Sequence, residues 1–379
     1  MRVLVYGAGQ LAQMMYLEGS PLGIDVQAVE VKSESVVNPV SKHSLDISLS
    51  QAIEDADALT VEFEHVPEHL LEQAARSGKL MPSIDAILVG ADRVREKALL
   101  TRLNVKNCAH RIIRHLDELD DCVKALGNKL ILKASRDGYD GYGQWRLKEG
   151  DDISALKQSL SGLDLGKVPL VVEQMLAFDR EVSVIGVRNK SGDVSVYPIA
   201  ENLHYEGQLH VSVAPAPGVS EDLQSKAVAI FETLAEGMNY VGVLAVELFQ
   251  CGDELLVNEL APRVHNSGHW TLQGSETSQF ENHLRAVCGF PLGDTTSKGV
   301  SAMVNIIGCG SFSRDLLGIP GCHLHWYGKS VRKKRKMGHI NVTATHYAEL
   351  GDKLTSLGNY LPSEFFPELT GEASRLKKR

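Results

Sequence analysis

The chain lacks the features that mark secreted, membrane-embedded and nucleic-acid-binding proteins. It has only six cysteines in 379 residues, none in a Cys-x-x-Cys pair, so neither a disulfide framework nor a zinc site is indicated. No apolar run approaches the roughly 18 residues that a membrane span needs. The net charge of −9 argues against general nucleic-acid binding. We therefore expect a soluble, cytoplasmic protein without a secretory signal.

The composition, 43% hydrophobic and 23% charged residues, predicts a globular protein of two or three domains. Strands predicted at residues 3–6, 26–31 and 59–63 alternate with helices, which favours a parallel, doubly wound sheet over residues 1–95. Hairpins interleaved with helices over residues 96–298 predict an α+β region. Residues 299–379 are predicted to form a small terminal module.

A glycine turn, Gly7-x-Gly9-x-x-Ala12, follows the first predicted strand. With Glu30 at the position of a ribose-binding acid, it is a weak dinucleotide signature. The alternative is a turn that packs a helix against its strand. A small ligand other than a dinucleotide is favoured over a nicotinamide dinucleotide at this turn. Because ligands collect at the carboxyl ends of parallel strands, residues 7–11 and 62–65 are candidate site loops.

A second glycine-rich segment, residues 138–143, lies between two predicted strands and follows Lys133. Backbone N–H groups of such a loop can close over phosphates, and a preceding lysine can contact phosphate oxygens. The segment is not a Walker A loop, because no Gly-Lys-Ser/Thr opens a helix. The alternative interpretation is a surface hairpin.

The end of the predicted strand at residues 170–174 offers a weaker signal. The backbone of residues 173–176 could hydrogen-bond an adenine, and Glu181 could accept bonds from ribose hydroxyls. A polar strand end without any ligand explains the same pattern equally well.

The segment from Val257 to Trp270 concentrates a carboxylate, a guanidinium and two imidazoles behind an apolar strand. Glu247 lies in the preceding apolar strand, where a carboxylate is costly unless a cation pairs with it. Side-chain alternation allows the partner strand to bring Glu259 opposite Glu247. The two carboxylates therefore predict a divalent cation, with magnesium as the first candidate. The alternative is a cross-strand pair neutralised by arginine or lysine.

Six of the eight residues 329–336 are basic. This run suggests phosphate capture, whereas the bland interpretation is a solvated basic face. A nucleic-acid patch is disfavoured by the acidic chain and by the lack of interleaved aromatic residues.

In order along the chain, these motifs resemble the ATP-grasp superfamily. The run from Pro262 to Thr271, with the segments 323–329 and 336–339, is similar to the N5-carboxyaminoimidazole ribonucleotide synthetases. The resemblance covers residues 1 to about 360. It implies a Rossmann-like domain (1–95), an ATP-grasp domain (96–298) with a small lid at about 115–175, a C-terminal domain (299–379), and a homodimer.

The resemblance also implies cofactors and their sites. The cofactors would be ATP and Mg²⁺, with Mn²⁺ as the alternative. Glu247 and Glu259 would bind the metal. ATP would be contacted by Arg93, Lys133, Gly138, Tyr139, Asp140, Gly141, Tyr142, Gly143, Gln144, Glu173, Gln174, Met175, Leu176, Glu181, His204, Asn258 and Glu259.

The implied reaction is the ATP- and bicarbonate-dependent carboxylation of 5-aminoimidazole ribonucleotide in purine synthesis, with the product passing to a mutase. Arg263, Asp140 and His265 would be catalytic. The substrate would be contacted by Gln10, Leu11, Glu64, His265, Asn266, Ser267, Lys329, Arg335 and Lys336.

Two positions depart from the family pattern. Asp137 replaces a glycine, and Tyr142 stands where the family commonly has an arginine that would stabilise the anionic intermediate. We hypothesise that Arg136 supplies that charge. The rival functions are another ligase of this fold, such as formate-dependent glycinamide ribonucleotide formyltransferase, a nicotinamide oxidoreductase, and a non-enzymatic polyanion-binding protein.

Overall fold

A parallel sheet forms the N-terminal part of the computed structural model, which describes residues 1–136 and 143–379. Its strand order is β3-β2-β1-β4, with β2 and β4 parallel to β1 and β3 antiparallel at the edge. The strands read as nearly continuous apolar runs because helices cover the sheet. The elements are β1 (Arg2–Tyr6), α1 (Gln10–Gly19), β2 (Asp25–Glu30), β3 (Ser35–Val37), α2 (Leu49–Asp55), β4 (Ala58–Val61), α3 (Glu68–Arg76) and α4 (Ile84–Ala91).

A second, antiparallel sheet has the order β5-β8-β6-β7. Its own buried cluster includes Leu119, Leu132 and Leu160, so it packs as a small separate layer. Helix α5 leads into it from the N-terminal part. The elements are α5 (Arg93–Arg102), β5 (His110–Ile113), α6 (Leu119–Leu126), β6 (Leu130–Ala134), β7 (Gln144–Leu147), α7 (Ile153–Leu160) and β8 (Leu170–Gln174).

The third sheet has nine strands in the order β14-β13-β9-β11-β12-β15-β17-β16, with β10 paired to β9. All of its pairings are antiparallel. The elements are β9 (Arg180–Arg188), β10 (Val194–Val196), β11 (Ala200–Tyr205), β12 (Gln208–Ala214), α8 (Glu221–Gly237), β13 (Gly242–Cys251), β14 (Glu254–Ala261), α9 (Thr271–Gly274), α10 (Gln279–Cys288), β15 (Val300–Ile307), β16 (Cys322–Trp326), β17 (Lys336–Ala344), α11 (Tyr347–Gly358) and α12 (Leu369–Leu376).

The predicted fold class is confirmed, but two local features differ from expectation. Strands β11 and β12 are not predicted from the sequence pattern, and the tight turn between them has Glu206 and Gly207 at positive φ. Because β12 pairs with β15, the third sheet runs without a break across residue 298. No helix in the described part of the chain combines the length and apolar character that crossing a membrane requires.

A buried histidine joins the N-terminal sheet to the third sheet. His283 on α10 accepts a hydrogen bond at Nδ1 from the Val243 amide (3.1 Å), and its Nε2 lies 2.8 Å from Thr60 Oγ1 on β4. An amide N–H can only donate, so Nδ1 carries no proton and Nε2–H donates to Thr60. Burial lowers the pKa of His283 to about 4, which keeps the imidazole neutral in the folded state.

We predict that His283 makes stability fall on acidification. An unfolded histidine takes up its proton near pH 6.5, whereas the folded one does so only near pH 4. The free energy of unfolding should therefore fall between these values, by up to roughly 3 kcal/mol from this residue. Denaturant unfolding at a series of pH values should show that the free energy of unfolding falls less steeply with acidification in His283→Gln than in the wild type. Substitution of the exposed His43 by glutamine should leave the slope unchanged, and equal slopes in both variants would contradict the prediction.

Candidate active site

A cleft of about 640 Å³ lies where the N-terminal sheet, the third sheet and the loop after β16 meet. The carboxyl ends of β1 and β4 face it, as expected for ligand sites on parallel sheets. Many of the predicted site residues converge there although they are distant in sequence. They are Gln10, Leu11, Glu64, Arg93, Gln144, Glu181, His204, Glu247, Asn258, Glu259, Arg263, His265, Asn266, Lys329, Arg335 and Lys336.

Two carboxylates face each other across the hairpin of β13 and β14. The strand register pairs Glu247 with Glu259, and a bulge follows immediately after Glu247, so the predicted juxtaposition of the two strands is confirmed. Burial and the nearby charge of Glu259 raise the pKa of Glu247 to about 7. A cation between the two carboxylates would relieve both causes of this shift.

The oxygen donors of this pair fit a magnesium ion. Magnesium is usually held by one or two carboxylates together with substrate phosphates and water. In the described part of the chain, no three His, Cys, Asp or Glu side chains converge as a metal site on their own. Arg93 partly neutralises Glu259, since its Nη2 lies 3.3 Å from Oε2. The hairpin therefore suits a cation that arrives with a nucleotide better than a resident metal.

Glu173 is clamped by two lysines beside the cleft. Its oxygens lie 2.6 Å from Lys97 Nζ and 2.7 Å from Lys133 Nζ, and Lys133 also donates to Asn258 Oδ1 at 3.1 Å. Burial alone would raise the pKa of Glu173, but the two lysine charges outweigh it and lower that pKa to about 2. The carboxylate thus serves to hold Lys133 in place next to Asn258.

The segment that follows Glu173 has part of its backbone already bonded. The amide of Gln174 donates to the Ala109 carbonyl and that of Met175 to the Lys129 carbonyl. An adenine recognised by residues 173–176 would therefore use other groups of this segment, Leu176 included. Nearby, His204 Nδ1 lies 2.9 Å from Glu181 Oε2. Burial would lower the pKa of His204, but its bond to Glu181 outweighs this and raises it.

Arg263 is bound by a carboxylate of the N-terminal part. Its Nε and Nη2 donate to the two oxygens of Glu64 at 2.8 and 2.9 Å. Such a bidentate pair fixes both groups in one plane. Burial would raise the pKa of Glu64, but the Arg263 charge outweighs it and lowers that pKa. The guanidinium predicted to stabilise the transferred group is thus positioned from a different domain.

His265 and Asn266 line the cleft, whereas their neighbour Ser267 lies beneath its surface. His265 Nε2 lies 3.5 Å from Glu247 Oε1, and Asn266 exchanges two hydrogen bonds with the amide of Asn305. Ser267 is fully buried and bonds to His265 Nδ1 at 2.9 Å. Ser267 therefore supports the wall from behind instead of contacting a substrate.

The glycine turn at residues 7–9 contains an internal anion. The carboxylate of Glu62 accepts hydrogen bonds from the amides of Gly9 and Ala12 at the N-terminal end of α1. A dinucleotide phosphate would need the same amides. The turn therefore packs against Glu62, which explains physically why the weak dinucleotide signature does not describe a phosphate site here.

The basic run lines the cleft and contacts the start of α1. Lys329 donates to Gln10 Oε1, and burial together with the charge of Arg335 lowers the pKa of Lys329 to about 8. Arg335 donates to Ser330 Oγ at 2.8 Å, and Lys334 lies 3.4 Å from Glu206. Lys336 completes the set of basic residues that line the cleft.

Several predictions fall on the glycine-rich loop. Asp137, Gly138, Tyr139, Asp140, Gly141 and Tyr142 lie outside the described residues. Gly143 and Gln144 come directly after the loop, and Gln144 lines the cleft. Before it, Arg136 Nε donates to Asp92 Oδ2 at 2.8 Å.

Two cleft residues with shifted pKa values have no role assigned to them from the sequence. Glu96 is buried on α5, accepts a bond from the Leu260 amide at 2.8 Å, and has its pKa raised to about 7 by burial. His269 has its pKa lowered by burial and by the charges of His325 and Lys336. His269 belongs to the Val257–Trp270 segment, which was a usable signal, whereas nothing distinguishes Glu96 within a charged helix.

Models of three protein families match consecutive parts of the chain. They describe a ribonucleotide synthetase preATP-grasp domain at residues 1–90, an ATP-grasp domain at residues 98–280, and a phosphoribosylaminoimidazole carboxylase C-terminal domain at residues 301–353. Together they cover the sheets that build the cleft.

Known proteins are similar over nearly the full length. The N5-carboxyaminoimidazole ribonucleotide synthase of Vibrio cholerae is 51% identical over 100% of both chains, and that of Escherichia coli 36% over 96% of each. The Thermus thermophilus synthetase structure superposes with a TM-score of 0.83 at 39% identity, covering 95% of this chain and 98% of the other. An Aspergillus clavatus structure, described as a complex with ADP and 5-aminoimidazole ribonucleotide, superposes with a TM-score of 0.81 at 30% identity. The match covers 94% of this chain and 97% of the other.

We predict that Glu173→Gln destabilises the protein strongly. The substitution leaves the Lys97 ammonium, only 2% exposed, with its closest partner neutral, and breaking a buried pair typically costs about 3–5 kcal/mol. Urea unfolding should report this loss. The matched control is Glu149→Gln, which breaks the exposed pair with Lys129 and should change stability by less than about 1 kcal/mol. Equal effects would show that the clamp does not hold this region.

Proposed function

The chain belongs to the N5-carboxyaminoimidazole ribonucleotide synthase family of ATP-grasp enzymes, and we propose that it carboxylates the amine of 5-aminoimidazole ribonucleotide with ATP and bicarbonate. One observation carries the proposal beyond family membership. The cleft places the opposed Glu247 and Glu259 carboxylates and the basic Lys329, Arg335 and Lys336 around one space. A metal-bound nucleotide and a second phosphorylated substrate need these two kinds of surface.

The reaction follows from the chemistry of bicarbonate, whose carbon carries no good leaving group. Transfer of the γ-phosphoryl group of ATP to a bicarbonate oxygen gives ADP and carboxyphosphate. The amine nitrogen of the ribonucleotide then forms a bond to the carboxyl carbon, the carbon–oxygen bond to phosphate breaks, and the amine loses a proton. Because the reactants are polyanions, catalysis depends mainly on positioning and electrostatics.

The nucleotide would occupy the side of the cleft formed by α5, β9 and the β13–β14 hairpin. Arg93 and Lys133 would contact its phosphates, with Lys133 held by Glu173. Glu181, bonded to His204, would accept hydrogen bonds from the ribose hydroxyls. Magnesium held by Glu247 and Glu259 would neutralise charge on the phosphates when bound.

The ribonucleotide would occupy the side formed by the N-terminal sheet and the basic run. Lys329, Arg335 and Lys336 would bind its phosphate, and Gln10, which accepts from Lys329, would fix the lysine from the N-terminal part. The remaining residues proposed for the walls of this site are Leu11, Glu64, His265 and Asn266.

Two catalytic groups complete the proposal. Arg263, aligned by Glu64, would stabilise negative charge on the transferred group. Asp140, in the glycine-rich loop, would orient the amine or accept its proton. We also propose the three-part division 1–95, 96–298 and 299–379, with a lid at about 115–175, a homodimer in the cytoplasm, and transfer of the product to a mutase.

The substrate test separates this proposal from its nearest rival. ADP release from magnesium-ATP should require 5-aminoimidazole ribonucleotide and increase with bicarbonate. A formate-dependent glycinamide ribonucleotide formyltransferase would respond instead to formate with glycinamide ribonucleotide. Turnover with that pair alone would preserve the fold and overturn the proposed reaction.

We predict that Glu259→Gln abolishes ATP turnover without unfolding the chain. The amide removes the charge that faces Glu247 across the hairpin, and loss of such electrostatic stabilisation should lower kcat by about 100-fold or more. Glu254→Gln is the control, because Glu254 lies on the same strand but is exposed and paired with Lys106. Wild-type rates in Glu259→Gln, with circular dichroism unchanged, would exclude Glu259 as a ligand.

A further inference from the structure

A chain of buried polar side chains runs behind His265. Ser212 Oγ donates to Asn202 Oδ1 at 2.7 Å, Asn202 Nδ2 donates to Ser183 Oγ at 3.0 Å, and Ser183 Oγ donates to Ser267 Oγ at 2.9 Å. Ser267 Oγ lies 2.9 Å from His265 Nδ1. Ser183, Ser212 and Ser267 are fully buried or nearly so. The chain crosses β12, β11 and β9 and ends at the cleft wall.

The direction of donation along this series of hydrogen bonds is fixed at His265. The backbone amide of Ser267 points to His265 Nδ1 at 3.3 Å, and an amide N–H can only donate. Nδ1 is therefore an acceptor, and the Ser267 hydroxyl can donate to it as well. The three earlier hydrogen bonds are all donated towards His265. The Ser267 hydroxyl accepts from Ser183, and the Ser183 hydroxyl accepts from Asn202. A neutral imidazole in this setting carries its proton on Nε2.

The proton-bearing nitrogen faces a candidate metal ligand. Nε2 lies 3.5 Å from Glu247 Oε1, which is long for a hydrogen bond but close enough for an electrostatic contact. Glu247 also lies opposite Ser183 in the pairing of β13 with β9. The relay and the carboxylate are thus anchored on neighbouring strands, and their relative position is set by strand register.

We propose that Ser212, Asn202, Ser183 and Ser267 form a positioning relay that holds His265 as its Nε2–H tautomer, facing Glu247. In this state Nε2 has no free lone pair, so His265 orients the carboxylate and is itself neither a metal ligand nor a base. The relay residues touch no substrate and act through His265. This inference deepens the proposed function and rests on it for the role of Glu247, but the tautomer can be measured without any substrate.

The first test measures the tautomer in the ligand-free protein. Two-bond proton–nitrogen correlation spectra of protein with ¹⁵N-labelled histidine distinguish an unprotonated Nδ1 from a protonated one. His265→Gln identifies the His265 signals by their loss, and sequential backbone assignment replaces it if that variant does not fold. The expected result is one Nε2–H tautomer. An Nδ1–H tautomer, or a doubly protonated ring at neutral pH, would overturn the proposal whatever reaction the enzyme catalyses.

The second test breaks the relay at a distance from the cleft. Ser183→Ala frees the Ser267 hydroxyl to rotate and accept from Nδ1–H. The Ser267 amide still favours an unprotonated Nδ1, but through a longer contact of 3.3 Å than the 2.9 Å of the hydroxyl, so an Nδ1–H population should appear beside the Nε2–H tautomer. Ser301→Ala, at another buried serine of the third sheet outside the relay, should leave the spectrum unchanged. Should Ser183→Ala fail to fold, Ser267→Ala tests the last link in the same way. A pure Nε2–H tautomer in the folded variant used would contradict the relay.

Kinetics then separate positioning from structural support. With the substrates of the proposed reaction, Ser183→Ala should lower kcat by about tenfold, as is typical for partners behind a metal ligand, with KM for the ribonucleotide within about twofold. Ser301→Ala should retain both values. A kcat loss in both variants would indicate general damage to the sheet and overturn the positioning role. If wild-type protein has no turnover, the proposed function fails while the tautomer result stands.

Discussion

The cleft depends on two carboxylates that the β13–β14 register holds opposite each other. Burial of Glu247 and the adjacent charge of Glu259 both disfavour the ionised form of Glu247, so its pKa is raised to about 7. A protein retains such an arrangement when something else completes it. Arg93 meets only part of this demand, at 3.3 Å from Glu259. The cation and nucleotide that we propose for this cleft would complete the electrostatics of the hairpin.

The other charges around the cleft are largely paired within the protein. Arg263 is aligned by Glu64, Lys133 by Glu173, and the amides at the start of α1 by Glu62. Each pairing fixes the direction of a charge before any substrate arrives, so little reorganisation is needed during reaction. The basic run differs, because Lys334 pairs with the exposed Glu206 and Arg335 bonds to the exposed Ser330. The internally paired groups are suited to orienting the reacting groups, whereas the basic run is suited to binding a phosphate.

Local sequence patterns correctly predicted the features of the fold and cleft that follow from strand periodicity. Alternation along two apolar strands placed Glu247 opposite Glu259, and alternating strands and helices predicted the parallel N-terminal sheet. Long-range partners were beyond such reasoning. Arg263 finds Glu64 199 residues away, and no periodicity relates them. The weak glycine signature was ambiguous for the same reason. Whether its amides are free to bind a phosphate depends on Glu62, which lies 53 residues from Gly9 and accepts a hydrogen bond from the Gly9 amide. The histidine relay joins three strands and one loop through single side chains.

The position of Arg136 bears on how the chain functions with a tyrosine at position 142. Arg136 bonds Asp92, which caps the helix that begins with Arg93, and Arg93 contacts Glu259. The base of the glycine-rich loop is thereby connected to the carboxylate pair through one helix terminus. The Arg136 side chain is 57% exposed, whereas that of Asp92 is only 10% exposed, so moving Arg136 away would leave a buried carboxylate without its cationic partner. The hypothesis that Arg136 replaces a loop arginine therefore requires an anion in the cleft that compensates for the lost contact with Asp92.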